Sequence, residues 1–167
     1  GKMFLNCTSL ASIDLPDSLA FLGRQETFKN TGLVSIKIPA GVKGFGNTAD
    51  SCSATQTVRL FENCAYLTTI IMPASMTDFE IGGYVFTGCT ALKTIKAGEN
   101  GEDNVLPGVT LVGQYAFTGC AIESLDLPDV DTVGTYAFGV KSADFIKGTY
   151  ATKLRSISMP KLTTFNT

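Results

Sequence analysis

One phrase, F-x-x-C-x-x-L-x-[ST]-I-x-L-P, returns six times along this chain, and repetition of that kind restricts the fold more than any single residue could. The copies run Phe4–Pro16, Phe28–Pro39, Phe61–Pro73, Phe86–Gly98, Phe117–Pro128 and Phe138–Pro160. Within them the apolar triplets align, from Leu10-Ile13-Leu15 through Leu67-Ile70-Met72 to Leu154-Ile157-Met159. A unit this short cannot bury its own hydrophobic face, so the copies must stack into a solenoid.

Each copy carries a strand signal. Ile13 and Leu15 lie two residues apart and point to one face, while Ser12 and Asp14 point to the other. Strands contributed once per coil all run in the same sense, so six of them predict a parallel sheet on the concave face. The proline after each strand lacks an N–H and stops the ladder. Gly23, Gly82, Gly113 and Gly134 precede the repeat phenylalanine by four or five residues, where a bend with positive φ is expected. The Phe column (Phe4, Phe28, Phe61, Phe86, Phe117, Phe138) then plugs the core from the convex side, which is expected to consist of turns and short helices. The predicted fold is a β-rich solenoid of about six coils forming a single domain over residues 1–167, with insertions near 44–58, 97–104 and 139–152. Insertions in a solenoid go to loops, and loops on a rigid scaffold are a usual place for binding residues.

Composition removes alternatives. The chain has 167 residues, 44% of them apolar and 17% charged, with a formal charge of -2 and no clustered basic patch, so no nucleic-acid or anionic-membrane partner is expected. Histidine is absent, which takes away the triad base, the imidazole metal ligand and the near-neutral proton shuttle. No catalytic residue, metal or cofactor is therefore predicted. Apolar runs are only a few residues long, too short to insert in a membrane, and no signal peptide is visible. Gly1 and the unfinished stretch after Leu162 suggest a fragment, or a processed chain that has lost any leader.

The runs Val112-Gly113-Gln114-Tyr115-Ala116-Phe117-Thr118-Gly119-Cys120, Phe61-Glu62-Asn63-Cys64 and Phe4-Leu5-Asn6-Cys7, each leading into Leu-x-x-Ile/Leu-x-Leu/Met-Pro, resemble the repeat of BspA-like leucine-rich-repeat proteins. The resemblance implies a leucine-rich-repeat solenoid of the α/β horseshoe type. It also implies a secreted or surface-displayed bacterial protein, outer-membrane anchored if a leader has been removed, that adheres to a protein or glycan of a host or neighbouring cell. Repeat two departs from the pattern with Asn30-Thr31 in place of the cysteine, and Gly98 replaces a proline that Pro107 would supply after the insertion.

Candidate sites follow from the columns. Cys7, Cys64, Cys89 and Cys120 each lie three residues after the repeat Phe, a slot that suits a buried, reduced thiol. Cys52 lies in the first insertion. On the concave face, Ser12, Ser35, Thr69, Thr94, Ser124 and Ser156 form a hydroxyl column. The next outward column varies, and its Lys37, Ile71, Lys96 and Asp126 are the candidate ligand-binding stripe. The acidic run Glu99–Asn104 has oxygen ligands but not the spacing of a calcium loop, so a solvated loop is expected. Asp126, Asp129 and Asp131 lack the partners of an acid–base site. Asn6-Cys7-Thr8 fits a glycosylation sequon, although Asn6 occupies a repeat position and would serve the stack instead. The expected function is a non-enzymatic binding or adhesion module; the alternative is a structural spacer within a longer surface protein.

Overall fold

The computed structural model describes residues 1–23, 25–46, 54–140 and 152–166. Among them are ten short strands and no helix. Five strands come from the repeat positions read in the sequence: β1 (Ser35–Lys37), β3 (Thr69–Met72), β5 (Thr94–Ala97), β7 (Ser124–Asp126) and β9 (Ser156–Ser158). They pair in parallel as β1-β3-β5 and β7-β9, with Ile36, Ile70 and Ile95 in register and facing inward. The sixth expected strand, around Ser12–Asp14, does not form. This end coil is paired on one side only, and its ladder is reduced to the Val34 N–H donating to the Ala11 carbonyl at 3.1 Å.

The other five strands form a second parallel sheet that the repeat phrase does not announce. It consists of β2 (Gly44–Phe45), β4 (Phe79–Ile81), β6 (Val109–Val112), β8 (Thr132–Val133) and β10 (Thr164–Phe165), in the unbroken order β10-β8-β6-β4-β2. Each coil therefore runs from a first-sheet strand through a proline turn to a second-sheet strand, then through the Phe turn and back. Of the turns and short helices expected on the convex side, the described residues show the turns, together with these second strands, and no helix. Gly44 and Phe45, assigned to the first insertion, belong to β2; residues 47–53 of that insertion, including Cys52, and 141–151 of the third lie outside the described residues.

The Phe turn has a fixed backbone pattern. Two residues before the phenylalanine, Lys2, Glu26, Arg59, Tyr84, Tyr115 and Tyr136 all have φ between +54° and +66°; two residues after it, Asn6, Asn30 and Asn63 do the same and Gly88 and Gly119 take φ of +75° and +78°. Asn and Gly are the residues that accept this left-handed conformation at least cost. In the first four copies the N–H groups at these positions and at the phenylalanine itself donate to carbonyls of the next coil, as in Asn63 to Thr87 at 2.7 Å and Phe61 to Val85 at 2.9 Å. Asn6 does serve the stack: its side-chain oxygen accepts from the Asn30 amide at 2.7 Å.

The expected positive-φ bend is found at Gly23 (φ +94°), but Gly113 answers a different need. A Cβ on Gly113 would lie 2.5 Å from the Gly83 nitrogen and 2.6 Å from the Gly82 carbonyl carbon. Glycine is required there because the corners of adjacent coils touch backbone to backbone.

Inside the coils the six phenylalanines form one ladder, with successive ring centroids 5.3, 5.3, 5.8, 5.3 and 5.6 Å apart, within the range of favourable aromatic pairing. The cysteine column lines the same core. Cys64, Cys89 and Cys120 are buried, and each thiol donates to the carbonyl of the preceding coil's phenylalanine, at 3.0, 3.0 and 3.3 Å. Thr31 fills the slot in repeat two and shares a 3.2 Å hydrogen bond with Cys64. Burial pushes the Cys89 and Cys120 thiols up. Access decides reactivity in such a column. We expect native iodoacetamide labelling to modify the exposed Cys7 at least ~10-fold faster than Cys64, Cys89 or Cys120, with the gap closing in denaturant. Equal native rates, read by peptide mass mapping, would mean that the column is not packed as described.

Candidate functional site

The outward side of the first sheet carries the two columns read from the sequence. Ser35, Thr69 and Thr94 are in register, and so are Lys37, Ile71 and Lys96, because side chains two residues apart in a strand share a face. Asp126 continues the second column in β7, opposite Ser158 of β9. Four stripe residues thus stand on one surface, but they do not stand alone.

The second insertion joins them. After β5 the chain turns at Gly98 (φ +73°), runs out over the sheet and returns through Asn104. On the way, Glu99 accepts from Lys37 at 2.7 Å and Asp103 lies 3.5 Å from Lys96. The first of these links residues 62 apart in sequence. The run expected to be a solvated loop is therefore tied to both stripe lysines. The Lys37 hydrogen bond holds the Glu99 carboxyl below its ordinary value and raises the Lys37 ammonium above its own. A carboxyl depressed by folding contributes stability above its unfolded pKa and loses it as pH falls through the folded value. The latch consequently holds at neutrality and is lost in acid, where Glu99 takes a proton, and in strong alkali, where Lys37 gives one up.

The return limb does more than close a loop. Asn104 donates its N–H to the Ile95 carbonyl at 2.6 Å, and its side chain accepts from the Ile95 N–H at 2.9 Å and donates to the Lys93 carbonyl at 3.0 Å. On the other side its carbonyl receives the Asp126 N–H at 2.8 Å, and Val105 bridges Asp126 in parallel. Asn104 and Val105 thus splice the β1-β3-β5 block to the β7-β9 block, adding Val105 to the stripe between Lys96 and Asp126. Leu106 is buried beneath and Pro107 ends the limb, taking the place of the proline missing at Gly98. The pattern x-Leu-Pro at Val105-Leu106-Pro107 was the available sequence signal for this limb.

Two open grooves flank the loop. One, of about 230 Å³, is lined by Ser12, Asp14, Asp17, Ser35, Lys37 and Ile71. The other, of about 270 Å³, is lined by Asp103, Val105, Ser124, Asp126, Ser156 and Ser158. The first insertion lies elsewhere: its residues Ala54 and Gln56 accept the N–H groups of Gln114 and Gly83 at 2.7 and 2.9 Å, beside the glycine corners that follow the second sheet. The described parts of the first and second insertions therefore do not share a face.

The remaining candidates disperse. Asp129 accepts from Lys161 at 2.6 Å and from the Gly108 N–H at 2.8 Å, and these bonds, Lys161 first, hold its carboxyl below the usual range. Asp131 accepts from the Thr132 hydroxyl at 2.8 Å, so neither aspartate joins Asp126. Among the described residues no group of three or more His, Cys, Asp or Glu side chains is placed to hold a metal, and no helix is long and apolar enough to cross a membrane. The tyrosines form a ladder on the Phe-turn surface: Tyr84–Tyr115 and Tyr115–Tyr136 stack at 4.8 and 5.2 Å, and the Arg59 guanidinium lies 4.5 Å over Tyr84.

Comparison with known proteins agrees with this fold. A family model described as "BspA type Leucine rich repeat region (6 copies)" matches residues 1–60 and 57–166. The crystal structure of a leucine-rich repeat protein from Bacteroides ovatus is similar over 92% of this chain and 38% of that one, with a TM-score of 0.56 and 23% sequence identity. The chain thus spans well under half of that protein's length. No curated protein matches the chain.

Proposed function

Because the chain belongs to the BspA-type leucine-rich-repeat family, we propose that it is a non-enzymatic binding module, secreted or displayed at a cell surface, that recognises a protein or glycan through the outward face of its first sheet. One observation carries this reading: the acidic insertion lies across the variable stripe, binding Glu99 to Lys37 and Asp103 to Lys96, so stripe and loop make one composite surface with a groove on either side. A ladder that needed only to be soluble has no use for a loop reaching back across two repeats. The hydroxyl column supplies donors and acceptors at a spacing of roughly 4.8 Å, suited to an extended partner.

The residues expected to contact the partner are Lys37, Ile71, Lys96 and Asp126, and Val105 joins them. The test is a screen of the monomeric protein against immobilised extracellular-matrix proteins and a glycan array, with a Lys37→Glu/Lys96→Glu variant run beside it. Reversing both charges is expected to weaken a genuine hit at least ~10-fold, because truncating one partner of a hydrogen-bonded charge pair that the bound partner buries costs about 2 kcal/mol or more. A hit unaffected by the variant would move the site off the first sheet. Silence across both panels would favour the spacer.

A further inference from the structure

We propose that Asn100 is a site of spontaneous covalent modification, at which an amide on the first-sheet face is converted to a carboxylate. Asn100-Gly101 is the one Asn-Gly pair in the sequence, and it sits at the crest of the loop just described, with Asn100 exposed. Gly101 is not free to be another residue, because a Cβ there would run into the Ala97 carbonyl oxygen. The reversal that carries the loop over the sheet thus demands, after Asn100, the residue type that least hinders ring closure. The Gly101 N–H is held only by a long 3.4 Å bond to the Gly98 carbonyl.

The chemistry needs no partner but water. The Gly101 backbone nitrogen attacks the Asn100 side-chain carbonyl carbon; the new C–N bond forms, the bond to the side-chain nitrogen breaks, and ammonia leaves with the displaced proton. Water then opens the five-membered imide at either carbonyl, giving aspartate or isoaspartate at position 100. Other asparagines are poorly placed for this. Asn104 has its side chain committed to Ile95 and Lys93 and is followed by β-branched Val105. Asn30 and Asn63 precede Thr31 and Cys64.

The position gives the conversion a consequence. Residue 100 lies between Glu99, bonded to Lys37, and Asp103, beside Lys96. Either product adds a negative charge between these pairs, and isoaspartate also adds a backbone carbon between two anchored points. The inference does not depend on the binding reading and is tested without a ligand.

The folded chain is incubated in mildly alkaline buffer and sampled by ion-exchange chromatography, peptide fragmentation mass spectrometry and isoaspartyl methyltransferase labelling. An acidic species is expected to accumulate with a mass gain of about 1 Da localised to Asn100. Its rate should exceed that at Asn104 or Asn63 at least ~10-fold and lie within ~10-fold of the rate in denaturant, since an exposed loop protects little. The Asn100→Gln variant should remain homogeneous. Conversion at Asn100 no faster than at Asn104, protection beyond that margin, or an acidic species undiminished in Asn100→Gln would each overturn the proposal.

Discussion

Phe61→Ala is expected to destabilise the protein by about 3–5 kcal/mol, the range for deleting a buried aromatic ring. Phe61 is fully buried and stacks against Phe28 on one side and Phe86 on the other, with Phe45 of β2 packed edge-on at 6.0 Å. No neighbour can collapse into the gap, because the coil spacing is set by backbone hydrogen bonds on both sheets. For a chain of this size the loss corresponds to a fall in Tm of roughly 10 °C. Phe4→Ala, at the half-buried end of the same ladder, should cost much less. Thermal unfolding of the two variants checks this, and equal losses would show that the ladder is not one cooperative column. In a solenoid the cost is nearest-neighbour in character, so hydrogen exchange should rise first in the coils of Phe28 and Phe86.

Asn104→Ala is expected to cost about 2–4 kcal/mol and to act locally. It removes two side-chain hydrogen bonds, leaves the Ile95 amide without its acceptor, and forces alanine into the left-handed conformation that Asn104 adopts at φ +63°. Asn104→Gly keeps the backbone conformation and loses only the side chain, so it should fall between wild type and Asn104→Ala. Denaturant melts of the three proteins give the order. Amide exchange places the damage: Ile95 and Asp126 should lose protection while Ile70 and the second sheet keep theirs. Exchange spreading evenly through β1 and β3 would overturn the view of Asn104 as a splice.

The contrast between these two sites explains what the sequence allowed. Phe61 and the inward Ile36, Ile70 and Ile95 were legible because each recurs at the same place in the repeat phrase and packing demands the same residue type every time. The second sheet was not legible. Two of its strands, Gly44–Phe45 and Thr132–Val133, are too short to show alternation, and the others, such as Phe79–Ile81, lie outside the recurring phrase. The left-handed positions were half legible: Asn6, Asn30 and Asn63 suit that conformation, but Tyr84, Tyr115 and Tyr136 hide it, since nothing about tyrosine favours positive φ. The stripe of Lys37, Ile71, Lys96 and Asp126 could be read from periodicity, whereas its engagement by Glu99 and Asp103 could not. A loop with no repeat has no register, and only the fold decides where its charges land.

The bonding of the Phe turn also has a direction. Its backbone amides give their protons to the coil that follows, while its thiol gives to the coil that came before. A chain that emerges from the ribosome N-terminus first can seat each new cysteine at once, on a coil already made. The main-chain amides of that new coil must wait for residues not yet translated. Growth of the stack is therefore one coil in arrears, with the youngest turn always the incomplete one. A translational pause in the middle of a repeat would strand that turn half bonded, whereas a pause after the next phenylalanine would not.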